Sequence, residues 1–117
     1  MAGEVVLEVP DWRGEAVRLY ESQWKHIKLG HPDMADQLDA IALTISDPDS
    51  VTLSETLPRN PDGVRHVASR ADAHSRYTRM YVRVPIEYCQ AGNWVTTAYV
   101  NLLPPEGDLV YVRVAPR

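Results

Sequence analysis

The chain has 117 residues, 44% of them hydrophobic and 24% charged, and a formal net charge of −4. That length suits one domain with a core of its own, and the charge balance argues against a non-specific polyanion binder. A lone cysteine, Cys89, excludes an internal disulfide and suits a reducing, cytoplasmic setting; the acidic Met1–Glu8 stretch reads as no secretory signal, and no apolar run approaches the about 20 residues of a membrane span.

Taken in chain order, Glu4 to Val9 alternates weakly and predicts a short strand. Asp11 to Glu15, with Gly14, predicts a turn, and Ala16 to Tyr20 the second strand of a hairpin. Ser22 is placed to cap a helix that runs to Leu29 and stops at Gly30. Pro32 suits the first turn of a second helix, with Asp33 and Asp36 at its positive end. Met34, Leu38, Ile41, Ala42 and Ile45 recur at helical spacing and predict one apolar face, which Asp47-Pro48 ends. Ser50 to Ser54 predicts a strand, and Leu57 to Ser75, with two prolines, a glycine and many polar residues, a long loop.

Three strand-like runs follow. Tyr77 to Tyr88 sets Met80, Val82, Val84 and Ile86 on one face and Tyr81, Arg83 and Glu87 on the other. Trp94 to Leu103 is rich in Val, Thr and Tyr, and Leu109 to Val114 alternates. Gly92-Asn93 and Pro105-Glu106-Gly107 supply turns, so the three runs predict an antiparallel meander. The expected fold is α+β: an N-terminal hairpin and two helices packed on one face of an antiparallel β-sheet.

Charge is unevenly spread. Residues 1 to 58 hold 4 basic and 11 acidic groups, a local net of −7, whereas Arg59 to Arg83 holds 6 Arg and 2 Asp, a local net of +4. The basic stretch is all arginine, which contacts phosphate in a bidentate way that lysine does not. The competing reading is that these arginines pair with the acids of the first half.

No metal motif, phosphate-cradling glycine loop or nucleophile elbow is present in the sequence. Chemistry without them needs a proton-transfer group near neutrality and a fixed cation. His26 lies nearly opposite Trp24 and Ile27 on a helical wheel, so it points away from the core those two build. His31, between Gly30 and Pro32, suits a helix cap or a bond to a terminal carbonyl. Alternation places Tyr77, Arg79, Tyr81 and Arg83 on one strand face, preceded by Arg76; arginine interleaved with tyrosine can hold phosphate and stack a base. The plainer reading of that run is the solvated face of an amphipathic strand. Thr96, Thr97 and Tyr99 lie on the next strand.

Trp24-Lys25-His26-Ile27 with His31-Pro32, then Ile45-Ser46-Asp47-Pro48-Asp49, Arg76-Tyr77 and Val95-Thr96-Thr97-Ala98-Tyr99, resembles the phage-associated nuclease-like domains of the barnase–EndoU–colicin–RelE superfamily over residues 16 to 103. The resemblance implies a single nuclease-like domain that cleaves RNA without metal or other cofactor, through 2′-hydroxyl attack on the adjacent phosphate, in a toxin or mobile-element effector. It implies His26 as the proton-transfer residue, Arg76 or Arg79 at the charged phosphorane and Thr97 orienting the phosphate. His31, Tyr77, Tyr81, Arg83 and Tyr99 are the expected substrate-binding residues. The implied partners are RNA and a cognate inhibitor or immunity protein, with no membrane. The alternative is an inactive domain of the same fold that binds a protein or nucleic acid.

Overall fold

The computed structural model describes residues 3–114; Met1 and Ala2, part of the stretch read for a secretory signal, lie outside the described residues. The fold is α+β, as expected. Strands β1 (Val5–Pro10) and β2 (Ala16–Tyr20) form the N-terminal hairpin, followed by α1 (Glu21–Gly30), a single 3-10 turn (Pro32–Met34) and α2 (Leu38–Ser46). Then come β3 (Ser50–Leu53), β4 (Val64–Ala71), β5 (Tyr81–Cys89), β6 (Gly92–Val95), β7 (Tyr99–Asn101) and β8 (Leu109–Val112). Among the described residues the sheet order is β1-β2-β6-β5-β4-β3-β8, with β7 also pairing β5. All pairings are antiparallel except β2 with β6, joined at Arg18 and Trp94.

Several expectations change. Ser22 is not the helix cap: β2 runs straight into α1 from Tyr20, with no side-chain cap. The Glu21 N–H instead donates to the carbonyl of Glu4, the residue before β1, at 2.8 Å, so the segment leading into the hairpin satisfies a free helix-end donor. The expected second helix is split. Its break falls at Gln37, which is buried because its amide serves residue 75: the Ser75 N–H donates to Oε1 at 2.9 Å and Nε2 donates to Ser75 Oγ at 2.7 Å.

The expected loop Leu57–Ser75 contains an eight-residue strand, β4, at the centre of the sheet between β3 and β5. Its core-facing positions are His66, Ala68 and Arg70, too small or too polar to show as an apolar run. His66 therefore lies on a strand, and only His74 sits in the loop that follows. That loop, residues 72–80, is closed by Asp72 N–H to the Met80 carbonyl at 2.9 Å and Arg79 N–H to Asp72 Oδ1 at 2.6 Å, with Asp72 and Arg79 at φ 58° and 62°. Tyr77 and Arg79 are thus outside the strand they were expected to occupy.

The run Trp94–Leu103 is broken between β6 and β7, opposite Pro85 of β5. Proline has no N–H for a ladder. The Pro85 carbonyl still accepts the Thr96 N–H at 2.9 Å, so the interrupted side is the one where Pro85 lacks a donor. Finally, β8 does not continue the meander. It crosses to pair with β3 at the far edge, and Gly92-Asn93 belong to β6 rather than to its turn.

The core forms on the face that carries both helices. Val82, Val84 and Ile86 of β5 are wholly buried with Ile41 and Ile45 of α2, Trp24 and Ile27 of α1, and Met34. α2 packs against β1, β4 and β5, and α1 against β1 and β2. The sheet curls around them, and Trp12 at the hairpin tip stacks on Tyr111 of β8 with ring centroids 5.7 Å apart.

Candidate functional site on the outer face of the sheet

The other face of β5 carries Tyr81, Arg83, Pro85 and Glu87. The register pairs Arg83 with Ser69 of β4 on one side and with Tyr99 of β7 on the other. Tyr81 pairs with Asn101, so Tyr81, Arg83, Tyr99 and Asn101 form one patch. Tyr99 reaches the end of α1, where the His31 ring lies 5.7 Å from it. His31 is the residue after α1, and its N–H closes the helix on the Ile27 carbonyl at 2.7 Å. Higher up the helix, Gln23 Nε2 donates to the Thr96 carbonyl, fastening α1 to the β6–β7 break. His26, one helical turn after Gln23, is exposed; Thr97 is half-buried in the break itself.

Arg83 borders a cleft of about 300 Å³ lined by Thr52 to Thr56 on one wall and Leu103 to Glu106 on the other, with Tyr99 and Asn101 on its floor side. The second wall is fixed from both ends. Arg83 Nη2 donates to the Leu103 carbonyl at 2.7 Å, and the Leu103 N–H donates to Asn101 Oδ1 at 2.8 Å. Gly107, at φ +109°, then lies over the Leu53 carbonyl, which a Cβ there would meet at 3.1 Å. The Arg83 Nε is buried and has no hydrogen-bond partner, and neither has the Oγ of wholly buried Ser69 opposite it. An unmade bond to a buried charged donor costs more than one to a neutral group, so Arg83 is held at a cost that the fold itself does not offset at Nε.

Of the other arginines between residues 59 and 83, Arg65, Arg70 and Arg76 are paired. Arg76 pairs with Asp36 at 2.5 Å and donates to the Asp33 carbonyl at 3.1 Å. The Asp36 carboxyl is held below its ordinary value by the Gln37 amide and by Arg76. Tyr77 stacks on His74 at 4.4 Å, and His74 is itself committed: Nε2 donates to the Asp33 carbonyl and Nδ1 accepts the Arg76 N–H. Arg65 pairs with Glu87 at 3.0 Å, and Arg70 with Asp47 at 2.9 Å. Arg79 is exposed on its turn.

The structure therefore brings together His31, Tyr81, Arg83 and Tyr99, with Thr97 two residues before Tyr99 and His26 on the helix fastened to that segment. Arg76, Tyr77 and Arg79 lie in the 72–80 loop, where Asp36 and the Asp33 carbonyl hold Arg76. The cleft residues Thr52, Ser54, Glu55, Asn101 and Glu106 carry no signal in the sequence, because two distant segments assemble them. Among the described residues no three His, Cys, Asp or Glu side chains cluster to hold a metal ion, and no helix is long and apolar enough to cross a membrane. No family model, curated protein or solved structure matches the chain.

Proposed function

We propose that the chain is a metal-independent RNase-like domain that acts where α1, residues 96–99 and Arg83 meet. One observation carries the reading: His31 contacts Tyr99, and Tyr99 is the cross-strand partner of Arg83. An imidazole, an aromatic face and a cation thus fall in one row. Cleavage by 2′-hydroxyl attack forms a bond from the 2′-oxygen to phosphorus and breaks the bond to the 5′-oxygen. The products are a 2′,3′-cyclic phosphate and a 5′-hydroxyl. One group takes the 2′-hydroxyl proton, another protonates the leaving oxygen, and a cation stabilises the phosphorane. His26 and His31 are the proton-transfer candidates, Arg83 the cation and Thr97 a hydroxyl donor to a phosphate oxygen. Arg83 takes the role that the resemblance assigned to Arg76 or Arg79. RNA is the substrate, the compartment is the cytoplasm, and a cognate inhibitor is the expected protein partner.

The test is cleavage of single-stranded RNA in the presence of a chelator, with product ends analysed. Wild type should yield cyclic phosphate ends, and His26→Ala should slow the reaction about 10²- to 10⁴-fold. Equal rates in the two proteins contradict the role of His26. The second reading, a binding module without catalysis, draws on the engagement of Arg76 by Asp36. It expects salt-dependent RNA binding with no cleavage by either protein.

A further inference from the structure

We infer that the cleft beside Arg83 is a subsite for one nucleotide unit, its phosphate on Arg83 and a base with an exocyclic amino group toward Glu55 and Glu106. The inference rests on the RNA reading for the identity of the anion as a nucleotide; the binding chemistry is read from the cleft itself. Arg83 lines the cleft with Nη2 fixed on the Leu103 carbonyl, and the other terminal nitrogen, Nη1, carries two further N–H donors. A guanidinium so held is oriented before any ligand arrives, which lowers the ordering cost of binding. Thr52, Ser54 and Thr56 add hydroxyl donors along one wall, and Tyr99 adds a ring on which a base can stack.

The two carboxylates that border the same space, Glu55 and Glu106, accept hydrogen bonds and cannot donate them when ionised. They favour a ligand that presents N–H groups away from its phosphate. Adenine, cytosine and guanine carry such an amino group, whereas uracil presents two carbonyls and one N–H. One cation faced by two carboxylates also suits a single phosphate and opposes a triphosphate. The volume, about 300 Å³, has room for one nucleotide unit.

The experiment is titration of the full chain with adenosine, cytidine and uridine 3′-monophosphates, ATP and inorganic phosphate, followed by calorimetry or amide chemical shifts. The adenosine and cytidine monophosphates should bind more tightly than the uridine one, than ATP and than inorganic phosphate. Arg83→Gln should weaken binding at least tenfold, and Glu55→Gln should shrink the preference over uridine and improve ATP. A thermal melt of each variant checks that it is folded. Equal binding by Arg83→Gln overturns the subsite, as does inorganic phosphate binding as well as the nucleotides. If RNA is not cleaved but adenosine 3′-monophosphate binds through Arg83, the subsite stands without the catalysis. If RNA is cleaved and no nucleotide binds at millimolar concentration, the catalysis stands and the subsite falls.

Discussion

Arg83 and Glu87 lie four residues apart on the same face of β5, and their surroundings are opposites. Glu87 is wholly buried and saturated. Its carboxylate accepts the Arg59 N–H at 3.0 Å, the Asn60 N–H at 3.1 Å, the Asn60 side-chain amide at 2.6 Å and Arg65 Nε at 3.0 Å. Those bonds tie the 54–63 loop down onto the sheet. Burial alone pushes this carboxyl up, but the donors from Arg59, Arg65 and Asn60 outweigh it and hold it at about 2. Arg83 has one bond to a carbonyl, an orphan Nε and a cleft in front of it. A charge that serves the fold is saturated by the fold; Arg83 is not saturated, and it borders a cleft.

The largest effect that tests this contrast is on stability. Glu87→Ala leaves Arg65 and three N–H groups without their acceptor and should cost about 3–5 kcal/mol, read from a denaturant midpoint. A loss under about 1 kcal/mol breaks the contrast. The same site sets an acid limit. The folded carboxyl lies at about 2, below its ordinary 4.5, so its stabilisation is complete above pH 4.5 and lost as pH falls through 2. Melts across pH 2 to 5 should show about 3 kcal/mol of slope from this group, and Glu87→Gln should remove it.

Arg83→Gln should behave in the opposite way. Fold stability should change by no more than about 1 kcal/mol, while RNA binding should weaken about 10- to 100-fold, the worth of one charge-assisted bond. Tyr88→Phe is the smaller control on the structural side. Tyr88 OH donates to buried Asp11 at 2.8 Å, and burial followed by that bond pushes the phenol well above its ordinary value. Its loss should cost about 1 kcal/mol and leave RNA binding unchanged.

Much of the fold was legible because period and punctuation agree. Ala16–Tyr20, the apolar faces of α1 and α2, and the core side of β5 all follow from spacing. What was hidden has local physical causes. β4 is central yet turns His66, Ala68 and Arg70 to the core, so a buried strand reads as a polar loop. Arg79 leaves the strand pattern because Asp72 holds its N–H in a left-handed turn, which alternation cannot show. The candidate site was half legible. Tyr81, Arg83 and Tyr99 share a face by period, but Arg76 looks equal to Arg83 in sequence. Only the fold reveals that Asp36, forty residues earlier, has already taken Arg76.

The most direct measurement is the rate of single-stranded RNA cleavage by wild type, Arg83→Gln and Arg76→Gln, side by side with a melt of each. Loss of cleavage in Arg83→Gln, with Arg76→Gln near wild type and all three folded, is the predicted result. Loss in Arg76→Gln with Arg83→Gln unaffected, or no cleavage by the wild type, contradicts it.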